Sequence, residues 1–136
     1  MIYILYGDPI PLQRPRLGKH CVYNPQAMLK DNMAIMLQAQ HKSKKILTTP
    51  VHLDVTFYMP IPTSYSKKTQ EALLGKYHNI KPDISNLIKF VEDVATGILY
   101  KDDKQIVAIT ARKLYDTVGR TEFTVTEISN GRQENE

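Results

Sequence analysis

A single amphipathic stretch near the middle of the chain constrains the fold more than any other feature: residues 81–106, KPDISNLIKFVEDVATGILYKDDKQI. At about 100° per residue, its apolar side chains share one stripe of about 120° on a helical wheel, namely Ile84, Leu87, Ile88, Val91, Val94 and Ala95. Its polar side chains share a stripe on the roughly opposite side, namely Asp83, Asn86, Lys89 and Asp93. The stretch therefore predicts a helix with one face on a core and one face that presents carboxylates, an amide and an amine.

The segments around this helix have the alternation or the spacing of strands and helices. In chain order they are a strand at residues 2–7, a helix at 25–40, a strand at 51–58, a short helix after Ser66, and strands at 105–115 and 121–128. We expect the last two strands to pair as a hairpin. This order predicts an α+β fold, a single domain over residues 1–128 whose mixed sheet carries helices on one face. The polar residues 129–136 are expected to form a disordered tail.

The helix at residues 25–40 has two apolar faces. One stripe of about 100° is predicted to be buried and contains Leu29, Met33, Met36 and Leu37. Met28 and Ile35 fall on a different face, which predicts that this helix is covered on two sides.

Size and composition exclude several classes of protein. A chain of 136 residues is long enough to bury a core as one domain. No apolar run reaches the ~18 residues of a membrane span, so we expect no membrane association. Cys21 is the single cysteine, which excludes an internal disulfide, argues against a Cys/His zinc site and favours the reducing cytoplasm.

Charge is distributed unevenly along the chain. Residues 1–82 carry 11 Lys and Arg against 4 Asp and Glu, whereas residues 83–136 carry 7 against 10. A basic half beside an acidic cluster suits a protein that binds a polyanion and holds a divalent cation near it. A solvated surface with uneven charge is the alternative.

Two basic segments are candidates for phosphate contacts. The first is an extended arm with Arg14, Arg16 and Lys19, for which a rigid surface loop is the alternative. The second is the turn-rich insertion at residues 63–80 and its flank, expected to be a substrate-contacting flap with Lys67, Lys68, Lys76 and Lys81. His78 lies in the same insertion, where a lone histidine is more often incidental than functional.

The acidic residues of the central stretch suit metal-assisted cleavage of a phosphodiester. Mg²⁺ prefers oxygen ligands and keeps several waters, so two or three carboxylates suffice to hold it. The bound ion lowers the pKa of an attacking water, and a nearby lysine can stabilise the scissile phosphate. Asp83 and Asp103 can meet if the loop after Gly97 folds back beside the start of the helix.

Each of these residues also has an ordinary structural interpretation. Asp83 or Ser85 is a suitable helix N-cap. Lys89 and Asp93 are four residues apart and can form a surface ion pair. The pair Asp102-Asp103 is typical of a turn.

Two motifs in the central stretch resemble the RusA family of Holliday-junction resolvases. The first is KPDISNLIK, from Lys81 to Lys89, and the second is GILYKDDKQI, from Gly97 to Ile106. The opening PIPLQRPR, from Pro9 to Arg16, is also similar to the basic start of that family. The motifs cover about residues 81–113, and the order of elements fits almost the whole chain.

The resemblance implies a homodimeric endodeoxyribonuclease that depends on Mg²⁺, with Mn²⁺ as a substitute, and needs no organic cofactor. Such an enzyme cuts two strands of a branched, four-way DNA junction in recombination and repair, often in phage or prophage genomes. By position, the matched metal ligands are Asp83 and Asp103 with Asp102 beside them, and the matched catalytic residues are Asp83, Asn86, Lys89 and Asp103. Lys101 and Lys104 flank the acid pair and are expected to contact DNA.

Ser85 departs from the family pattern, which usually has a second aspartate at this position. A serine hydroxyl is neutral and a poor substitute for a carboxylate on Mg²⁺. Two hypotheses follow: the remaining aspartates suffice with water, or the protein binds junctions and cuts them poorly. The dimer surface is expected among the exposed apolar residues of the 105–128 hairpin and Phe90.

Overall fold

The structure is a computed structural model that describes residues 1–13 and 26–129, together with the backbone of residues 16–17 and 22–23. In chain order its elements are β1 (Tyr3–Tyr6), β2 (Arg16–Leu17), β3 (Val22–Tyr23), α1 (Ala27–Gln40), β4 (Val51–Pro60), α2 (Lys67–Leu73), α3 (Ile84–Ala95), a 3₁₀ turn (Asp103–Gln105), β5 (Ile106–Asp116) and β6 (Arg120–Glu127). Strands β2 and β3 form a small antiparallel pair. The predicted tail lies outside the described residues from position 130 onward.

Strand β4 lies inside a four-stranded mixed sheet of order β1-β6-β4-β5. It pairs in parallel with β5 and antiparallel with β6, and β6 pairs antiparallel with β1. Every second side chain of β4 enters the core, and Val51, Leu53, Val55 and Phe57 are each at most 1% exposed. The predicted α+β fold with a mixed sheet is confirmed.

The predicted hairpin of the last two strands is wrong, because β5 and β6 lie on either side of β4. Residues 117–119 carry the chain across the end of β4. There the Ile61 N–H donates to the Asp116 carbonyl at 3.0 Å. The Arg120 guanidinium lies 3.9 Å from the centre of the Tyr58 ring. A strand as apolar as β4 buries most surface when it has a neighbour on each edge, and this outweighs the short connection between β5 and β6.

Helix α3 confirms the prediction from the amphipathic stretch. Leu87, Val91, Val94 and Ala95 are buried, and the other two apolar residues of the stripe are partly buried against the same core. Phe90 is also buried, at 3% exposure, so its prediction as a dimer-surface residue is wrong. The reason is that α1 and the opening segment cover that side of α3, where Phe90, Met33 and Ile10 border one small internal gap.

Helix α1 buries a narrower stripe than expected, because it packs mainly on α3 and β1. Leu37 is fully buried, and Met33 and Met36 are partly buried against the core. Leu29 is 41% exposed, so its predicted burial is wrong. Met28 and Ile35 are exposed as well, so nothing in the described part of the chain covers the second apolar face.

The insertion before α3 forms the predicted short helix α2. The Ser66 hydroxyl accepts a hydrogen bond from the Thr69 N–H at 3.2 Å, and Gly75 ends the segment with φ +79°. Residues 75–78 then run along the outer edge of β5: the His78 N–H donates to the Lys113 carbonyl, and the Tyr115 N–H donates to the Lys76 carbonyl. None of the helices in the described part of the chain has both the length and the apolar composition of a membrane span.

Candidate active site

An open groove of about 460 Å³ lies at the start of α3. Its lining combines predicted site residues with residues of the preceding insertion and of β5: His78, Asn79, Ile80, Lys81, Asp83, Ile84, Ser85 and Lys113. The groove forms because residues 75–78 pair with β5 and residues 79–83 then lead to the start of the helix. The fold therefore places a carboxylate, a hydroxyl, two amines and an imidazole around one space.

Asp83 occupies the N-cap position of α3 but does not use its side chain as a cap. Its backbone carbonyl accepts hydrogen bonds from the N–H groups of Asn86 and Leu87, at 3.1 and 3.3 Å. The exposed carboxylate is left uncommitted at the positive end of the helix dipole, where an anion is stabilised. This geometry favours a ligand-binding role for Asp83 over the capping interpretation.

Lys113 holds the backbone that leads into Asp83. Its ammonium donates to the carbonyls of Ile80 and Pro82, at 2.7 and 2.6 Å. The Lys81–Pro82 peptide bond within this segment is cis. No sequence signal identified Lys113, because its role depends on β5 lying beside a segment more than thirty residues earlier in the chain.

His78 is more than an incidental loop histidine. It is 7% exposed and packs on Tyr115, with the ring centres 4.7 Å apart. Burial lowers the pKa of His78, and the charge of Lys113 lowers it further, so both effects favour the neutral imidazole. Its buried Nδ1 has no hydrogen-bond partner among the described residues.

Gln105 fixes the loop that carries the acid pair. Its side-chain oxygen accepts from the N–H groups of Lys101 and Asp102, at 2.9 and 2.8 Å. Its side-chain nitrogen donates to the carbonyls of Leu47 and Thr49, at 2.9 and 3.0 Å. An acid followed three residues later by Gln is the pattern of a capping box, so the sequence did contain a signal for this residue.

Asp102 and Asp103 begin the 3₁₀ turn, as the turn interpretation predicted. The Asp102 carboxylate accepts the Lys104 N–H at 2.9 Å. This hydrogen bond lowers the pKa of Asp102, and a side-chain hydrogen bond with Asp103 lowers it further. The Asp102 carboxylate is thus committed to the turn, and Asp103, which shares a hydrogen bond with it, is the more exposed carboxylate of the pair.

The charge of Asp103 acts on Glu92 in the second half of α3. Burial raises the pKa of Glu92, and the charge of Asp103 raises it further. Lys89 opposes this shift. The Tyr100 hydroxyl donates to the Glu92 carbonyl at 2.9 Å, which joins the acid-bearing loop to the helix. Sequence reasoning gave Glu92 no role, and no local pattern predicts that it lies near Asp103.

Lys89 does not form the ion pair that the sequence left open. Asp93 pairs instead with Lys30 of α1 at 3.0 Å. Lys89 is exposed and has no carboxylate within 4 Å in the described part of the chain, so its ammonium is available to a phosphate. Asn86 lies one turn earlier, and its backbone carbonyl accepts the Leu12 N–H at 2.9 Å.

The oxygen donors suit a hard divalent cation, but the described residues contain no group of three His, Cys, Asp or Glu side chains close enough to hold a metal ion. Asp83 lies in the groove at the start of α3, whereas Asp103 is electrostatically coupled to Glu92 near the end of that helix. The ligand set of Asp83, Asp102 and Asp103 stays a prediction.

The predicted DNA-contacting lysines are exposed. Lys67 and Lys68 lie on α2, Lys76 lies in the segment beside β5, Lys81 lines the groove, and Lys101 and Lys104 flank the acid pair. Arg14 and Lys19 lie outside the described residues, and only the backbone of Arg16 is described, in β2.

Comparisons with known proteins point to one family. A sequence model of the family described as endodeoxyribonuclease RusA matches residues 7–126. The chain is 33% identical over 136 residues to the uncharacterized protein YqaN of Bacillus subtilis (strain 168), covering 93% of this chain and 96% of YqaN. It is 34% identical over 80 residues to the crossover junction endodeoxyribonuclease rusA of Lactococcus phage r1t, covering 58% of this chain and 56% of the phage protein.

Proposed function

Because the chain belongs to the RusA family of endodeoxyribonucleases, we propose that it resolves four-way DNA junctions by Mg²⁺-dependent hydrolysis of two phosphodiester bonds. Enzymes of this family depend on a metal ion and act on branched DNA. The observation that carries the proposal is the groove at the start of α3, where Asp83 keeps its carboxylate free of any capping bond.

Asp83 and Asp103 are the proposed metal ligands, with Asp102 assisting. The ion, when bound, supplies Lewis-acid stabilisation of the phosphate and a more acidic water. Lys89, whose ammonium has no carboxylate partner among the described residues, binds the scissile phosphate. Asn86 is the remaining proposed catalytic residue, and it lies between Asp83 and Lys89 on α3.

The DNA is held by the exposed lysines around the groove and the acid pair, together with Arg14, Arg16 and Lys19 of the basic arm. The protein acts inside the cell, in DNA recombination and repair, and uses no organic cofactor. Paired cuts in a junction need two active sites, so a two-fold homodimer is part of the proposal.

Cleavage of a synthetic four-way junction tests the enzyme. With Mg²⁺, the wild type should nick two strands of the junction and leave linear duplex of the same sequence intact. Asp83→Asn should lower the cleavage rate by at least about 100-fold, because it removes the negative charge of a proposed metal ligand beside the reacting phosphate. Asp31→Asn removes an exposed carboxylate of α1 and is the matched control that should cut normally. Absence of paired nicks by the wild type at every salt concentration would rule out the nuclease.

A non-catalytic junction-binding protein is the second candidate, and Ser85 favours it. Ser85 lines the groove with a neutral hydroxyl where the family usually has an aspartate. In that case the wild type should bind junctions without cutting them, and Ser85→Asp should create Mg²⁺-dependent cleavage. If the wild type already cuts and Asp83→Asn abolishes that activity, the binding-only candidate is excluded.

A further inference from the structure

A basic connector, residues 41–45 with the sequence HKSKK, joins α1 to the segment before β4 and has no role in the function proposed so far. Residues 42–45 are all exposed, and the sequence has no Asp or Glu between Asp31 and Asp54. The three lysines of the connector form no ion pair with any of the described residues. The connector is therefore a local concentration of positive charge that the described part of the chain does not neutralise.

The first residue of the connector, His41, fixes its shape. The ring is 9% exposed, its Nε2 lies 2.7 Å from the Lys45 carbonyl, and its Nδ1 lies 2.8 Å from the Tyr3 hydroxyl of β1. Because a carbonyl can only accept, the neutral imidazole donates from Nε2 and accepts the Tyr3 hydroxyl at Nδ1. A buried side chain thus bonds the far end of the connector to the sheet.

Lys44 has φ +54°, a left-handed conformation that glycine adopts at lower cost than lysine. Two further hydrogen bonds determine this turn: the Lys44 N–H donates to the His41 carbonyl at 3.2 Å, and the Lys45 N–H donates to the Ser43 hydroxyl at 3.3 Å. Strained backbone persists where the surrounding contacts determine it, and it is concentrated at ligand-binding sites. The strained residue of this turn is itself an exposed lysine.

The basic connector lies beside the loop that carries the acid pair. Leu47, two residues after Lys45, accepts the Lys101 N–H at 3.3 Å, and Lys101 directly precedes the acid pair. Two residues of extended chain span at most about 7 Å. Lys44 and Gly97, at the two ends of this contact, also border one open hollow of about 320 Å³. The connector and the acid-bearing loop therefore form one continuous surface.

We propose that the basic connector is a phosphate clamp, in which Lys42, Lys44 and Lys45 bind the backbone of the DNA strand that passes the acid pair. The clamp rests on the proposed function, because its ligand is the DNA that this site would cut. Lysine binds phosphate as a point charge and reads no base, so the clamp adds affinity equally for all sequences. Its charge also offsets the repulsion between Asp103 and the DNA phosphates.

The salt dependence of junction binding tests the clamp without any cleavage. The full chain is titrated with a synthetic four-way junction in EDTA. Changing Lys42, Lys44 and Lys45 together to Gln should reduce the slope of log binding constant against log salt by about 1.8 to 2.7, for two to three lost phosphate contacts. Affinity at about 0.1 M salt should fall at least about 50-fold. The same three residues changed to Arg keep the charge and are the matched control, which should bind like the wild type.

Lys44→Gly separates the clamp from the stability of the fold. Glycine adopts the left-handed conformation without strain, so the urea midpoint of unfolding should rise or stay the same. Junction affinity at about 0.1 M salt should nevertheless fall about eightfold, for one lost phosphate contact. Thr48→Gly is the matched control, because it adds a glycine to the same exposed connection and removes no charge. It should leave junction affinity unchanged.

Two results would overturn the clamp: an unchanged salt slope in the triple Gln variant, or an equal loss of affinity in the triple Arg variant. The first result would assign the connector to an acidic protein partner or to solvent. Because binding is measured without metal, failure of the nuclease and failure of the clamp are distinguishable. A wild type that binds junctions in this way but never cuts them rejects the nuclease alone, and a triple Gln variant that binds and cuts normally rejects the clamp alone.

Discussion

At the scale of single residues, His78 is a buried base beside the groove, and it links stability to pH. The pKa of His78 is lowered in the fold by burial and by the charge of Lys113. The unfolded chain therefore binds a proton more readily than the folded chain. This contribution to stability is complete above the ordinary histidine pKa of about 6.5 and is lost as pH falls through the lower folded value.

Replacing His78 should flatten that dependence. Urea unfolding from pH 7.5 to pH 5 should show the free energy of unfolding decreasing in the wild type and decreasing less in His78→Phe. His52→Phe is the control, since His52 lies on the open face of the sheet with its Nε2 2.9 Å from the Thr110 hydroxyl. An unchanged pH slope in His78→Phe would show that His78 is solvated in the native protein.

Lys113 is predicted to position Asp83 through the backbone of Ile80 and Pro82. Lys113→Met removes both charge-assisted hydrogen bonds and should cost about 1–3 kcal/mol of stability. Junction cleavage should fall at least about tenfold, because small displacements of a catalytic carboxylate are costly. Arg112→Met is the control, because Arg112 bonds to Asp54 away from the groove at 3.2 Å and is partly exposed. Equal loss of cleavage in both variants would contradict the positioning role.

At the scale of elements, the loop between α3 and β5 depends on one side-chain amide. Gln105→Leu leaves two N–H groups and two carbonyls without their partner, and should lower the free energy of unfolding by about 1–3 kcal/mol. Cleavage should fall as well, because Asp102 and Asp103 lose their fixed position. Gln38→Leu replaces an exposed glutamine of α1 and should change neither quantity. Full activity in Gln105→Leu would mean that the 3₁₀ turn holds the acids unaided.

At the scale of the whole molecule, the exposed lysines predict strongly salt-dependent DNA binding. The logarithm of the junction-binding constant should fall linearly with the logarithm of salt concentration, with a slope of about −4.5 to −6.3 for some five to seven phosphate contacts. Changing Lys67 and Lys68 together to Gln should reduce that slope by about 2. Glu71→Gln on the same helix should not reduce it. A slope near zero in the wild type would exclude binding through the phosphate backbone.

The sequence by itself determined the features that depend on residues close together in the chain. The 3.6-residue period of α3, the alternation of β4, the serine cap of α2 and the family motifs were all readable from local spacing, because each is a property of one segment. The same reading predicted that Asp83 begins a helix and that two acids follow it in a turn.

Only the tertiary structure decided which segments are neighbours. It separated β5 from β6 by inserting β4, buried Phe90 under α1, and brought Lys113 and His78 to the groove of Asp83. Among the described residues, it also left the outer edge of the first half of β5 without a partner strand. These outcomes depend on how distant segments compete for buried surface and for backbone hydrogen-bond partners. The hydrophobic periodicity of a single segment does not show which other segment will become its neighbour.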